Sequence, residues 1–130
     1  MDTALATFLL GLHDAEPTKT GPAFGQLFET MIVGEWIKAF YHCGERPELY
    51  FWRSKDGLEI DLMVDRNSRL YPVEIKATST LLPGHTDALT RWSKLAGDLK
   101  AGSILVADAV EPYSIRGCRA ISWKHALDLL

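Results

Sequence analysis

LEIDLMVDRNSRLYPVEIKA, residues 58–77, is the stretch that decides the fold. Leu58, Ile60, Leu62 and Val64 alternate with Glu59, Asp61 and Met63. Beyond the polar stretch from Asp65 to Ser68, Tyr71, Val73, Ile75 and Ala77 alternate with Pro72, Glu74 and Lys76. A period of two marks a strand with one face turned inward. The segment therefore predicts two strands joined by a polar turn. Side chains two apart on a strand share a face, so Glu74 and Lys76 point the same way. If the Leu, Ile and Val positions of both strands face one core, Asp61 joins them on the other face.

That constellation suits one kind of chemistry. Phosphodiester hydrolysis is slow because water is a poor nucleophile and the departing alkoxide a poor leaving group. A bound Mg²⁺ (or Mn²⁺) polarises the phosphoryl oxygens and lowers the pKa of its water. Mg²⁺ takes hard oxygen ligands, usually one or two carboxylates plus waters and substrate phosphate. Asp61 and Glu74 are such ligands, on strands about 4.8 Å apart. The Ile75 carbonyl adds a further oxygen, and Lys76 is placed to orient the attacking water or to stabilise phosphate charge. The plainer alternative is a solvated strand face with a cross-strand pair, worth only a few tenths of a kcal/mol.

Working outward, a strong helix is predicted before the strands, from Phe24 to Tyr41. Phe24, Leu27, Phe28, Met31 and Ile32 form one apolar face, and Val33, Trp36, Ile37 and Phe40 another. Such a helix is covered on most sides. Glu29 projects among Val33, Trp36 and Phe40, where a carboxylate is costly unless paired or metal-bound. It is the expected third acid of the site, with Glu35 as second choice. Glu48 to Arg53, rich in aromatics, predicts a first strand of core character, and Lys55-Asp56-Gly57 its turn. Leu58 to Val64 and Leu70 to Ala77 are the next two strands.

Pro83-Gly84 precedes a second helix, Thr86 to Leu99. Ser103 to Ala107 reads as a buried strand. A weaker strand around Arg119 to Ser122 and a helix from Trp123 close the chain. Asp2 to Gly11 predicts a short amphipathic helix and Asp14 to Pro22 a connector. The expectation is an α/β sandwich with a mixed central sheet and core order α-β-β-β-α-β. It forms one domain over 1–130, with 1–22 the helix and connector and 23–130 the core.

Bulk properties exclude several function classes. The 130 residues carry a net charge of -3, which argues against a binder held by unspecific phosphate attraction. Arg53 and Lys55 could still form a local basic rim for DNA, with Arg66, Arg69, Arg91 and Lys94 as further members. For Arg91 and Lys94 a solvated helix surface is the simpler expectation. Cys43 and Cys118 are the two cysteines, far apart and in no metal-ligand spacing, which fits a reduced, cytoplasmic protein. The four histidines, His13, His42, His85 and His125, show no zinc-site spacing. The apolar start ALATFLLGL is too short to span a bilayer and lacks a basic lead-in, so no membrane partner is expected. No phosphate loop for ATP is present. Trp52 and Trp92 are read as exposed, which leaves an oligomer possible.

Taken together, GQLFETMIVGEWIK, ELYFWRSKDGLEIDLMV and LYPVEIKATST carry a recognisable signature. The chain resembles the C-terminal domain of unknown function that follows an AAA-type ATPase module in many bacterial and archaeal proteins. That domain is similar to the PD-(D/E)xK, restriction-endonuclease-like nucleases. The resemblance runs from DTALATFLLGL to GCRAISWKHALDLL. It implies Asp61, Glu74 and Lys76 as the active-site triad, Glu29 as the helix acid, DNA as substrate and an ATPase module as partner. Met1 is then expected to mark a truncation. Ala77 to Thr80 read Ala-Thr-Ser-Thr, without the glutamine of the RecB-like branch. Because the superfamily includes members without activity, a non-catalytic nucleic-acid-binding or ATPase-docking module is the alternative.

Overall fold

A computed structural model describes residues 2–99, 101–108 and 111–129. Its elements are α1 (Thr3–Leu9), α2 (Ala15–Thr20), α3 (Phe24–His42), β1 (Leu49–Arg53), β2 (Glu59–Arg66), β3 (Arg69–Lys76), α4 (Asp87–Ala96), β4 (Ile104–Ala107), β5 (Tyr113–Ile115) and β6 (Cys118–Ser122). Short 3₁₀ segments flank α4 at Pro83–Thr86 and Gly97–Leu99. The final predicted helix is a 3₁₀ run over Trp123–Leu129. Two elements escape the sequence reading. One is α2, too short to show a period. The other is β5, three residues long and held by a two-residue turn in which Arg116 and Gly117 both have positive φ.

The six strands form one mixed sheet in the order β1-β2-β3-β4-β6-β5. The β1-β2-β3 meander is antiparallel, β4 joins β3 and β6 in parallel, and β5 returns antiparallel on β6. Helix α4 makes the crossover from β3 to β4, as parallel neighbours require. Each face of the sheet buries its own cluster. Phe28, Ile32, Trp36 and Phe40 of α3 pack on Val73, Ile75, Ile104, Val106 and Ile121. On the opposite face Leu89 and Trp92 of α4 pack on Leu105, Cys118 and Ala120. Trp92 is thus interior rather than exposed. Cys43 is exposed and Cys118 buried.

Strand β2 departs from simple alternation. Leu62 and Val64 join the α3-side cluster, whereas Leu58, Ile60 and Met63 join the α4-side cluster. The expectation that Leu58, Ile60, Leu62 and Val64 share one face is therefore corrected. Between Tyr50 and Trp52 of β1, the partner in β2 steps from Met63 to Ile60. Asp61 and Leu62 together oppose the single Phe51, so β2 carries a bulge there, which reverses the faces on either side. The aromatic strand also differs from its expected core role. Tyr50 and Phe51 are exposed, and of the three rings Trp52 alone packs inward, half-buried, while Leu49 packs on the α3-side cluster.

The β2-β3 turn is tight. Arg66 pairs with Arg69, which leaves Asn67 and Ser68 as a two-residue loop with φ of 55° and 60°. Positive φ at both central residues is the type I′ requirement, met by Asn readily and by Ser at a cost. Ser68→Gly is expected to raise stability by about 1 kcal/mol in urea unfolding. Ile60→Ala, at 0% exposure, should cost about 2–5 kcal/mol. Phe51→Ala on the open side of β1 should stay within about 0.5 kcal/mol. Equal losses from the two alanine variants would contradict the facing derived from the bulge.

Candidate functional site

The bulge brings Asp61 to β3. Its Oδ2 accepts the Ile75 amide at 2.8 Å, so a side chain takes the place of a strand-to-strand acceptor. Lys76 Nζ donates to the same Oδ2 at 3.5 Å and to Glu74 Oε1 at 2.6 Å. The three residues named from the sequence therefore converge, though Asp61 arrives through a bulge rather than through strict alternation. Their burial is graded. The Glu74 side chain is 10% exposed, that of Asp61 21% and that of Lys76 32%.

Glu74 is the electrostatically strained member. Its Oε2 is buried with no hydrogen-bond partner among the described residues, a situation that costs about 1–3 kcal/mol or more for a charged group. Burial pushes the Glu74 carboxyl up to about 7, the Asp61 charge adds to the rise, and Lys76 opposes it. Burial acts to lower the Lys76 ammonium, but the Glu74 hydrogen bond and the two carboxylates win, so Lys76 ends above its ordinary value. Glu29 on α3 is half-buried and also raised, first by burial and then by Asp61. It senses the site electrostatically. Even so, no group of three or more His, Cys, Asp or Glu that could hold a metal ion gathers among the described residues.

The other expected residues fall as follows. Glu35 bonds Lys38 on its own helix, away from the cluster, and so drops out. Arg53 pairs with Glu59 across the β1-β2 ladder at 3.0 Å with both side chains exposed, a link worth about 0–1 kcal/mol. Lys55 is exposed in the β1-β2 turn. Arg91 pairs with Asp56 at the surface. An open groove of about 650 Å³ runs beside Lys76, lined also by Lys19, Phe24, Thr78, Thr80 and His85. Sequence reasoning missed Lys19, Thr78, Thr80 and His85. For the threonines the one available signal is their place just after Glu-x-Lys, and for Lys19 there is none.

Donor chemistry is compatible with a hard cation. Asp61 and Glu74 offer the two carboxylates that a Mg²⁺ site commonly draws from protein. The unpartnered Glu74 Oε2 lacks what a cation would provide.

The model of a domain of unknown function, DUF4143, matches residues 24–126. The chain belongs to this family. The matched span of DUF4143 includes Glu29, Asp61, Glu74 and Lys76, and so the whole cluster. The chain is 37% identical over 79 residues to the uncharacterized protein Rv2008c of Mycobacterium tuberculosis and, equally, to the uncharacterized protein Mb2031c of Mycobacterium bovis. Each match covers 61% of this chain and 17% of the relative, so the chain spans a small part of the curated relatives it matches. No solved structure matches the chain significantly. The likeness to a domain of unknown function is thus borne out at family level. No helix among the described residues is long and apolar enough to cross a membrane.

The raised Glu74 carboxyl has a signed consequence. A carboxyl that holds its proton longer when folded adds stability below its unfolded value, and that stability is lost as pH rises through its folded value. For Glu74 the window runs from 4.5 to about 7. Glu74→Gln cannot titrate, so it should gain stability relative to the wild type as pH rises through this window. Thermal unfolding of both proteins across the range measures the difference. A constant difference would contradict the raised value.

Proposed function

We propose that this DUF4143 domain is a metal-dependent nuclease module of restriction-endonuclease-like architecture, acting on DNA phosphodiester bonds. The observation that carries the reading is the convergence of Asp61, Glu74 and Lys76, with a buried Glu74 oxygen left without a partner. Asp61 and Glu74 would hold Mg²⁺ or Mn²⁺, with the Ile75 carbonyl as a further oxygen and Glu29 on a metal-bound water. The ion supplies Lewis acidity and a more acidic bound water.

Lys76 would exchange its hold on Glu74 for the attacking water and the phosphate charge. Water adds to phosphorus and releases a proton to solvent, the bond to the leaving sugar oxygen breaks, and that oxygen takes up a proton from solvent. Asp61 keeps its bond to the Ile75 amide and so fixes its carboxylate for this work. The groove beside Lys76, with Lys19, two threonines and His85, offers donors for the backbone of the substrate. Arg53 and Lys55 would meet phosphates further out. An ATPase module in the full-length protein is the expected partner, by the resemblance described above.

A second reading rests on the Lys76 link itself. One ammonium engages both carboxylates, and such a pin serves a purely structural end equally well. The domain would then bind nucleic acid or dock onto an ATPase without catalysis.

Calorimetry and plasmid cleavage separate the two readings. The wild type should bind Mn²⁺ saturably, and Asp61→Asn or Glu74→Gln should weaken this at least about tenfold. Asp61→Asn is chosen because it keeps an acceptor for the Ile75 amide. Cleavage with Mn²⁺ should fall about 10²-fold or more in Lys76→Ala. Absence of saturable metal binding in the wild type, or cleavage that survives all three substitutions, would leave the non-catalytic reading.

A further inference from the structure

A second site lies at the other end of the sheet. A cavity of about 140 Å³ is bounded by Trp36 of α3, Val64 and Arg66 of β2, Tyr71 of β3, Ile104 of β4 and Arg119 of β6. Tyr71 and Glu74 are three residues apart along β3, roughly 10 Å, so the cavity is separate from the acidic cluster. Neither Asp61 nor Glu74 lines it.

Three buried side-chain nitrogen or oxygen atoms lack a hydrogen-bond partner among the described residues. Two of them, Trp36 Nε1 and Arg66 Nη1, belong to residues of this cavity. Trp36 is only 1% exposed. Both groups can only donate, and protein interiors pair such donors almost without exception. Arg66 reaches Glu45 through its other terminal nitrogen, and only at 3.9 Å. Arg119 adds a second guanidinium, and no carboxylate side chain lines the cavity. The site thus gathers donors and positive charge, while the acceptors of its lining are neutral, the Tyr71 and Ser103 hydroxyls and backbone carbonyls.

Val64, Tyr71, Ile104 and the Trp36 ring make the remaining wall largely apolar. A free phosphate or sulfate would leave that wall unfilled and bring a highly solvated charge against it. The volume is close to that of a cavity that takes up benzene, about 150 Å³.

We infer that this cavity binds a small organic carboxylate with a ring-sized apolar body. The carboxylate accepts from Arg66, Arg119 and the Trp36 indole, and the body rests on Val64, Tyr71 and Ile104. Arginine suits this task because its planar fork matches a carboxylate in two bonds.

The test is a titration of the ¹⁵N-labelled full chain with benzoate, followed at the Trp36 indole N–H resonance, which Trp36→Phe assigns. A saturable shift is expected in the wild type. Arg66→Met and Arg119→Met should each weaken binding at least about tenfold, the loss of a charge-assisted bond. Benzamide, of the same shape but neutral, should also bind at least about tenfold more weakly. The inference is overturned by no saturable shift with benzoate, by benzamide binding as well as benzoate, or by inorganic phosphate binding more tightly than benzoate. Wild-type affinity in both arginine variants would do the same. Arg119 is exposed on β6, so its variant and the benzamide comparison stand even if Arg66→Met fails to fold.

Discussion

A hydrogen bond of 2.8 Å from the Ile75 amide to the Asp61 carboxylate fills the place where β2 bulges away from the β3 ladder. Buried backbone donors need partners, so the bulge is tolerable only because an acidic side chain takes over from a carbonyl. The same carboxylate then stands beside Glu74 and Lys76. Remove the bulge, and Ile60 and Leu62 could not serve opposite cores as they do. One extra residue in a strand thus settles the packing of both layers and the placement of an acid between them.

Charge is distributed unevenly along the sheet. One end collects Asp61, Glu74 and Glu29, with Lys76 as the counterion in their midst. The opposite end of the sheet collects Arg66 of β2 and Arg119 of β6 against apolar walls. A strand makes this possible because its two ends lie far apart while its interior remains apolar. Helix α3 spans both regions. Glu29 and Trp36 are seven residues apart, about two turns and roughly 10 Å, so a single rigid rod carries a member of each site.

Local chemistry was readable where it depends on one element. Glu74 and Lys76 sit two apart on a strand, and no tertiary information is needed to put them together. The Glu29 position among apolar neighbours on a helix was legible for the same reason. Asp61 reached its predicted company by another route. Its bulge has no glycine and no break in hydrophobicity to mark it, and the Leu-Ile-Leu-Val alternation conceals it. The Trp36, Arg66 and Arg119 cavity could not be read, because residues from α3, β2, β3, β4 and β6 meet there only in the folded chain. Tyr50, Phe51 and Trp92 show the limit of composition. Aromatic character alone does not say which side of the sheet a ring occupies or whether a layer covers it.

Strand β1 has a partner on one side only, since it stands at the margin of the sheet, and it displays Tyr50 and Phe51 to solvent. Free main-chain groups on a rim, together with sticky rings, form a template on which a further strand can be laid. Arg53, at the end of the same strand, supplies the sort of gatekeeping charge that discourages such growth. Concentrated preparations therefore face intermolecular sheet extension along this border.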